Sequence, residues 1–370
     1  VTQLRTVQVL GGGSAGSSAH VRSLAAGLVA RGVRVTVCAP ARIDDIYDFR
    51  GAGAHFAAVP RRSDPQAIGA LRAACAGADV VHAHGLHAAV RASLALGAQR
   101  SRIPLVVTWH TTTQADGARA AVLRLLERRA VRAAAVVLGT CSELVDRARA
   151  CGARDARLAP AAMPAPQVTP APDAKLRAEL GVVGRPLLLA VGSLERHRGY
   201  GTLLDAAGSW RGLDPAPLLL IAGEGPERAA LQRRITEEEL QVRLLGRHDD
   251  VPALLAVADV AVLPSRWEAR SLLVQEALRL GVPLVATAVG GVPDLVGDAA
   301  ELVPYGDPVA LSAAVTRLLS DPARRAWLSQ AGPAQAGTWP TEDDTVAQVL
   351  SVYDELALTG SWSASPGQRV

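Results

Sequence analysis

Apolar residues along the chain come in short continuous blocks separated by stretches with helical spacing. Blocks at 6–10, 33–38, 80–82, 104–108 and 134–138 predict strands, and 20–30, 67–76 and 118–132 predict helices between them. Gly32 ends the first of those helices. Strands that alternate with helices imply a parallel sheet covered on both faces. Five prolines between positions 160 and 172 then predict a stiff, extended linker. Beyond it the alternation restarts, with strands at 187–191, 218–222, 242–244, 260–263 and 283–286 and helices at 201–210, 226–239, 271–280 and 308–319. A last helix over 343–356 precedes a frayed tail. The fold class is α/β: two doubly wound domains, 1–165 and 166–340, with a cleft between them, a C-terminal helix within 341–358 and a flexible tail at 359–370.

Length agrees with that division, because 370 residues exceed the roughly 250–300 at which one core stops growing. The longest apolar stretches, such as 253–263, are interrupted by Asp259 and fall short of the ~18–20 residues of a membrane span. Residues 1–10 lack a basic segment followed by a signal-length apolar core, so the expected location is cytoplasmic. Of 39 basic residues only Lys175 is a lysine. Charge is also split, +11 over residues 1–170 and −7 over 171–370. That split excludes an even basic coat for nucleic acid. Cys38, Cys75, Cys141 and Cys151 form no C-x-x-C pair and read as reduced, mostly buried thiols.

Several motifs invite chemistry. The loop Gly11-Gly12-Gly13-Ser14-Ala15-Gly16 follows a strand and opens a helix, as a dinucleotide loop does. A dinucleotide site also wants an acid at the end of the second strand, and none stands before Asp44. As a nucleophile elbow around Ser14 it lacks an earlier strand to supply an oxyanion loop. What survives is an anion-binding turn at a helix start, or a tight turn without a ligand. His82, His84, His87 and His110 do not have tetrahedral zinc spacing, so the expected metal ligands are none. No Asp-x-Asp follows a strand to hold Mg²⁺ either.

The richest stretch is 261–280, AVLPSRWEARSLLVQEALRL. A buried strand ends at Leu263, a loop carries Glu268, and a helix starts near Ser271 with Glu276 about one and a half turns in. Backbone N–H groups of Arg270, Ser271 and Leu272 are expected at that start, ready for a phosphate. This stretch resembles the E-x7-E block of the retaining GT-B glycosyltransferases of family 4. PLVATAVGGVPDLV (283–296), IAGEGPER (221–228) and VGSLERHRGYGTLLDA (191–206) carry the same resemblance, with the glycine loop, DVVHAH and VVTWHTTT matching more weakly.

The resemblance implies an enzyme with two Rossmann-like domains, the first binding an acceptor and the second a nucleotide-diphosphate sugar. It places Glu276 on the ribose, Glu268 on the sugar hydroxyls, Arg198 and the 270–272 helix start on the diphosphate, and His110 beside the sugar. Gly13 and Gly16 belong to the glycine loop, and the base is read near Gly246-Arg247. It also implies front-face displacement with retention, no metal or other cofactor, a small-molecule or lipid acceptor, and closure about the linker. Ser193 departs from the pattern, standing where the family usually has a second diphosphate arginine. Losing such a donor typically costs ~2.7–4 kcal/mol of barrier. Arg196, Arg266 or Arg270 would have to substitute, with Arg270 best placed; otherwise the chain is a nucleotide-sugar binder with impaired catalysis. The predicted helix at 118–132 carries Arg119, Arg124, Arg128, Arg129 and Arg132 with Val122, Leu125 and Leu126. Such a face suits an anionic membrane surface or an acidic acceptor, or is simply solvated.

Overall fold

The computed structural model describes residues 3–11, 15–60, 65–112, 117–162, 173–248 and 250–362. Contacts divide the chain into two compact units, Val1–Pro164 with Pro340–Val370, and Ala165–Trp339. Gly13 and most of the proline-rich linker lie outside the described residues.

In the first unit seven parallel strands form one sheet: β1 (Arg5–Leu10), β2 (Arg34–Ala39), β3 (His55–Ala58), β4 (Val80–His84), β5 (Leu105–Trp109), β6 (Val136–Gly139) and β7 (Ala156–Leu158). Their order is β3-β2-β1-β4-β5-β6-β7. Every residue of β4 and β5 is buried, as expected of parallel strands covered on both faces. The edge strands β3 and β7 were not legible in the sequence, because they are short and partly exposed and so carry little apolar signal. Val346, Val349, Val352 and Tyr353 of the last helix join the core that Leu24, Leu28, Val37 and Val106 form in this unit. That helix spans Glu342–Trp362, past residue 358 where the sequence pattern ends it. No proline stands between 341 and 365 to stop it, and Gly360 weakens a helix without ending it.

The second unit has six parallel strands, β8 (Leu187–Val191), β9 (Leu218–Ala222), β10 (Val242–Gly246), β11 (Val260–Leu263), β12 (Leu284–Thr287) and β13 (Glu301–Val303), in the order β10-β9-β8-β11-β12-β13. Two apolar clusters flank the sheet. Leu188, Ala190, Ile221 and Val262 point into one, and Leu187, Leu189, Leu220 and Ala261 into the other. This is the side-chain alternation of a strand buried twice. In both units the order reverses once, at β1/β4 and at β8/β11, and open α/β sheets bind ligands outside the carboxyl ends of strands at such a reversal.

Candidate active site

The reversal in the second unit brings Arg198 and Glu268 together. Arg198 ends the short turn Arg196–Arg198 after β8, and Glu268 lies in the loop after β11. Arg198 Nη1 donates to Glu268 Oε1, and the two side chains are only 28% and 13% exposed. An ion pair so sheltered is less screened than one on the surface. Arg198 Nε is buried with no hydrogen-bond partner among the described residues. A buried guanidinium N–H left over in this way is a donor for an incoming anion.

Backbone geometry fixes the pair. Arg266 N–H donates to the His197 carbonyl at 2.8 Å, joining the two loops, and Gly291 N–H donates to the Glu268 carbonyl at 2.9 Å. Two glycines permit these approaches. Gly199 has φ 72° and a Cβ there would stand 1.9 Å from the Pro264 carbonyl oxygen. Gly290 has φ 55°, and its Cβ would stand 2.0 Å from the Glu268 carbonyl oxygen. Both positions need a residue without Cβ.

The helix after Glu268 spans Leu272–Arg279, one residue later than the sequence pattern suggests. Ser271 is its N-cap, buried, with no side-chain cap hydrogen bond. The first-turn N–H groups are therefore those of Leu272, Leu273 and Val274, which have no intrahelical acceptor. Arg270 falls outside the helix. Its guanidinium lies 5.8 Å from the centroid of Trp339, whose indole N–H donates to the Leu295 carbonyl at 3.0 Å. Glu276 sits within the helix, where burial pushes its carboxyl up to about 7 and Arg279 partly offsets the rise. Ser193 is half-buried just past β8, and Arg247 is exposed just past β10. Of the arginines near the Ser193 gap, Arg196 is 91% exposed and 3.6 Å from Glu227. Arg266 is exposed as well.

The first unit gathers imidazoles at the carboxyl ends of β4 and β5. His82 and His84 lie inside β4 and are buried, not in a loop after it, and the exposed His87 takes no part. His110 follows β5 directly. His20, which the sequence reading left out, joins them from the helix Ala15–Ala30; Gly16 is on the same helix. His82 uses both ring nitrogens, Nδ1 to the Tyr353 hydroxyl and Nε2 to Thr108 Oγ1, each at 2.6 Å. Gln8 Nε2 donates to the Tyr353 hydroxyl at 3.0 Å, leaving Gln8 Oε1 to accept from His84 Nε2, also at 3.0 Å. Burial holds these rings neutral: His20 is lowered to about 4, His82 to about 3, and His84 and His110 well below the usual histidine range. Cys38, Cys75 and Cys141 are buried, and burial pushes the Cys38 and Cys75 thiols up to about 12, so they are poor nucleophiles.

Two parallel sheets, each reversing once, define a pair of doubly wound α/β units, with an Arg–Glu pair and a helix start at the second reversal. Comparison with known proteins agrees. A model described as "Glycosyl transferase 4-like domain" matches residues 15–162, and one described as "Glycosyl transferases group 1" matches 173–335. The chain is 31% identical to an alpha-D-kanosaminyltransferase of Streptomyces kanamyceticus over 288 residues, 69% of this chain and 72% of that protein. It is 32% identical to a D-inositol 3-phosphate glycosyltransferase of Salinispora arenicola over 294 residues, 70% of this chain and 65% of the relative. The structure of Anabaena HepE in complex with UDP and glucose superposes with a TM-score of 0.82 at 18% identity, covering 95% of this chain and 100% of that one. The chain belongs to the group 1 glycosyltransferases of family 4, and it is a glycosyltransferase with the GT-B fold.

Proposed function

We propose that this enzyme moves a sugar from a nucleotide-diphosphate sugar to an acceptor with retention, and that the transfer step needs no metal. The observation that carries the reading is the Arg198–Glu268 pair across the β8/β11 reversal. Arg198 serves the leaving diphosphate together with the N–H groups of Leu272–Val274, through positive charge and unpaired helix-start donors. Glu268 accepts from the sugar hydroxyls while the guanidinium holds it in place. Glu276 accepts from the ribose, Arg247 lies near the base, and His110, Gly13 and Gly16 are the first unit's contribution. Preorganised charge on the leaving group then replaces a protein nucleophile, with the departing phosphate oxygen taking the acceptor's proton. The inositol 3-phosphate in the name of one relative supports a small-molecule acceptor; a lipid acceptor is the other reading.

Ser193 favours a second reading, a nucleotide-sugar binder with impaired catalysis. Arg270 remains the proposed substitute cation, although it now lies outside the helix. A panel of nucleotide sugars screened by thermal shift, then by release of nucleoside diphosphate in the presence of a chelator, tests both. Stabilisation by one nucleotide with release above background is expected. Stabilisation without release over long incubation would establish the second reading instead.

A further inference from the structure

We propose that His20, His84 and His110 form a tridentate site for a transition metal ion of the zinc class, set by three imidazole nitrogens within 4.8 Å of one another. His84 Nδ1 and His110 Nε2 stand 3.4 Å apart. Two nitrogens bound to one tetrahedral zinc at ~2.0–2.1 Å stand about 3.4 Å apart, so this pair already spans one edge of such a site. His20 closes the triangle, its ring centroid 5.3 Å from that of His110 and 5.9 Å from that of His84. The third nitrogen must draw in by roughly an ångström to complete the tetrahedral edges.

The surroundings supply what a metal-bound imidazole requires. A ligating histidine directs its other ring N–H to a carbonyl or carboxylate, which fixes the tautomer. His84 does so through Nε2 to Gln8 Oε1, whose orientation is set in turn by the Gln8 bond to Tyr353. Nδ1 of His84 is left with its lone pair toward His110. His20 hydrogen-bonds the backbone of Ala162. His82 packs against His84 with ring centroids 4.2 Å apart, yet both its nitrogens are committed elsewhere, so it supports the site without ligating. Three neutral imidazoles suit zinc, copper or nickel, and leave a position open on the ion. An occupied site would take the Nε2 of His110 out of the reaction, so zinc would inhibit transfer. That consequence rests on the role proposed for His110; the metal site itself does not.

The test is equilibrium dialysis of the full chain against Zn²⁺, followed by the visible spectrum of the Co²⁺ form. Binding of about one ion per chain is expected, with a nitrogen-only tetrahedral spectrum. His20→Gln and His110→Gln should each weaken it at least about tenfold, Gln8→Ala about 10–100-fold, and His87→Gln not at all. Circular dichroism of each variant checks that it folds. Failure to retain zinc, equal binding by both ligand variants, or a thiolate-to-cobalt charge-transfer band would overturn the site. Zinc retention without slowed transfer would leave the site standing and remove His110 from the reaction.

Discussion

Arg198 and Glu268 are 70 positions apart in sequence and touch because strands β8 and β11 are neighbours in the sheet. On the proposed reading Arg198→Ala removes the cation that serves the leaving group, and a fall in kcat of about 10²–10³ is expected, read by nucleoside diphosphate release. Glu276 has a different signature. Its carboxyl titrates near 7 because burial penalises the charge, so it is protonated below that pH and loses acceptor strength. Affinity for nucleoside diphosphate, measured by calorimetry, should fall as pH drops through about 7, and Glu276→Gln should flatten that dependence. Arg198, Glu268 and Glu276 were singled out through the family resemblance of the short blocks that carry them, and the structure brings the first two together. His20, Gln8 and Tyr353 were not, since the network that unites them spans the chain from β1 to the last helix. A lone histidine in an apolar helix gives no sign of the neighbours it meets.

At the scale of elements, the loop that holds Glu268 depends on Gly290. Gly290→Ala would drive a Cβ into the Glu268 carbonyl at a backbone angle that L-residues rarely adopt. A loss of about 1–3 kcal/mol in urea unfolding, with a larger loss of turnover, is expected. The helix Gly117–Ala133 is the other exceptional element. It buries Glu127, Ala130 and Val131, with Glu127 accepting from Arg147 at 2.8 Å, and leaves Val122 58% and Leu125 68% exposed among its arginines. Salt-sensitive cosedimentation with anionic liposomes is expected of a peripheral membrane contact, and its absence would make this a solvated face. Among the described residues no helix is long and apolar enough to cross a membrane. Apolar periodicity found the central strands of both sheets. It missed helices such as Leu86–Leu96 and Ser142–Ala150, the first because it is apolar nearly all round and the second because it is short.

For the whole molecule, the charge split follows the two units only in part: the first, with residues 340–370, carries +7, and residues 165–339 carry −3. On the proposed reading the second unit holds a diphosphate by local means, with Arg198 and the start of Leu272–Arg279 as the groups that would do so. The first unit carries a different liability. Its buried histidines have folded values of about 4 for His20 and about 3 for His82, both below the value of ~6.5 in an unfolded chain. The unfolded state thus binds more protons as pH falls below ~6.5, and stability present above that pH is lost toward pH 4. For His20 alone the loss is on the order of 3 kcal/mol. Urea midpoints should decline between pH 7 and pH 5, and His20→Gln should remove its share of the decline. The fold was legible almost throughout, because two sets of continuous apolar blocks around a proline-rich stretch admit few other architectures. On the proposed reading, transfer depends on the Arg198–Glu268 pair. Its most direct test is turnover of Glu268→Ala on the donor that stabilises the wild type, with the fold checked by thermal unfolding. Loss of transfer in a folded variant is predicted, and wild-type turnover would contradict the account.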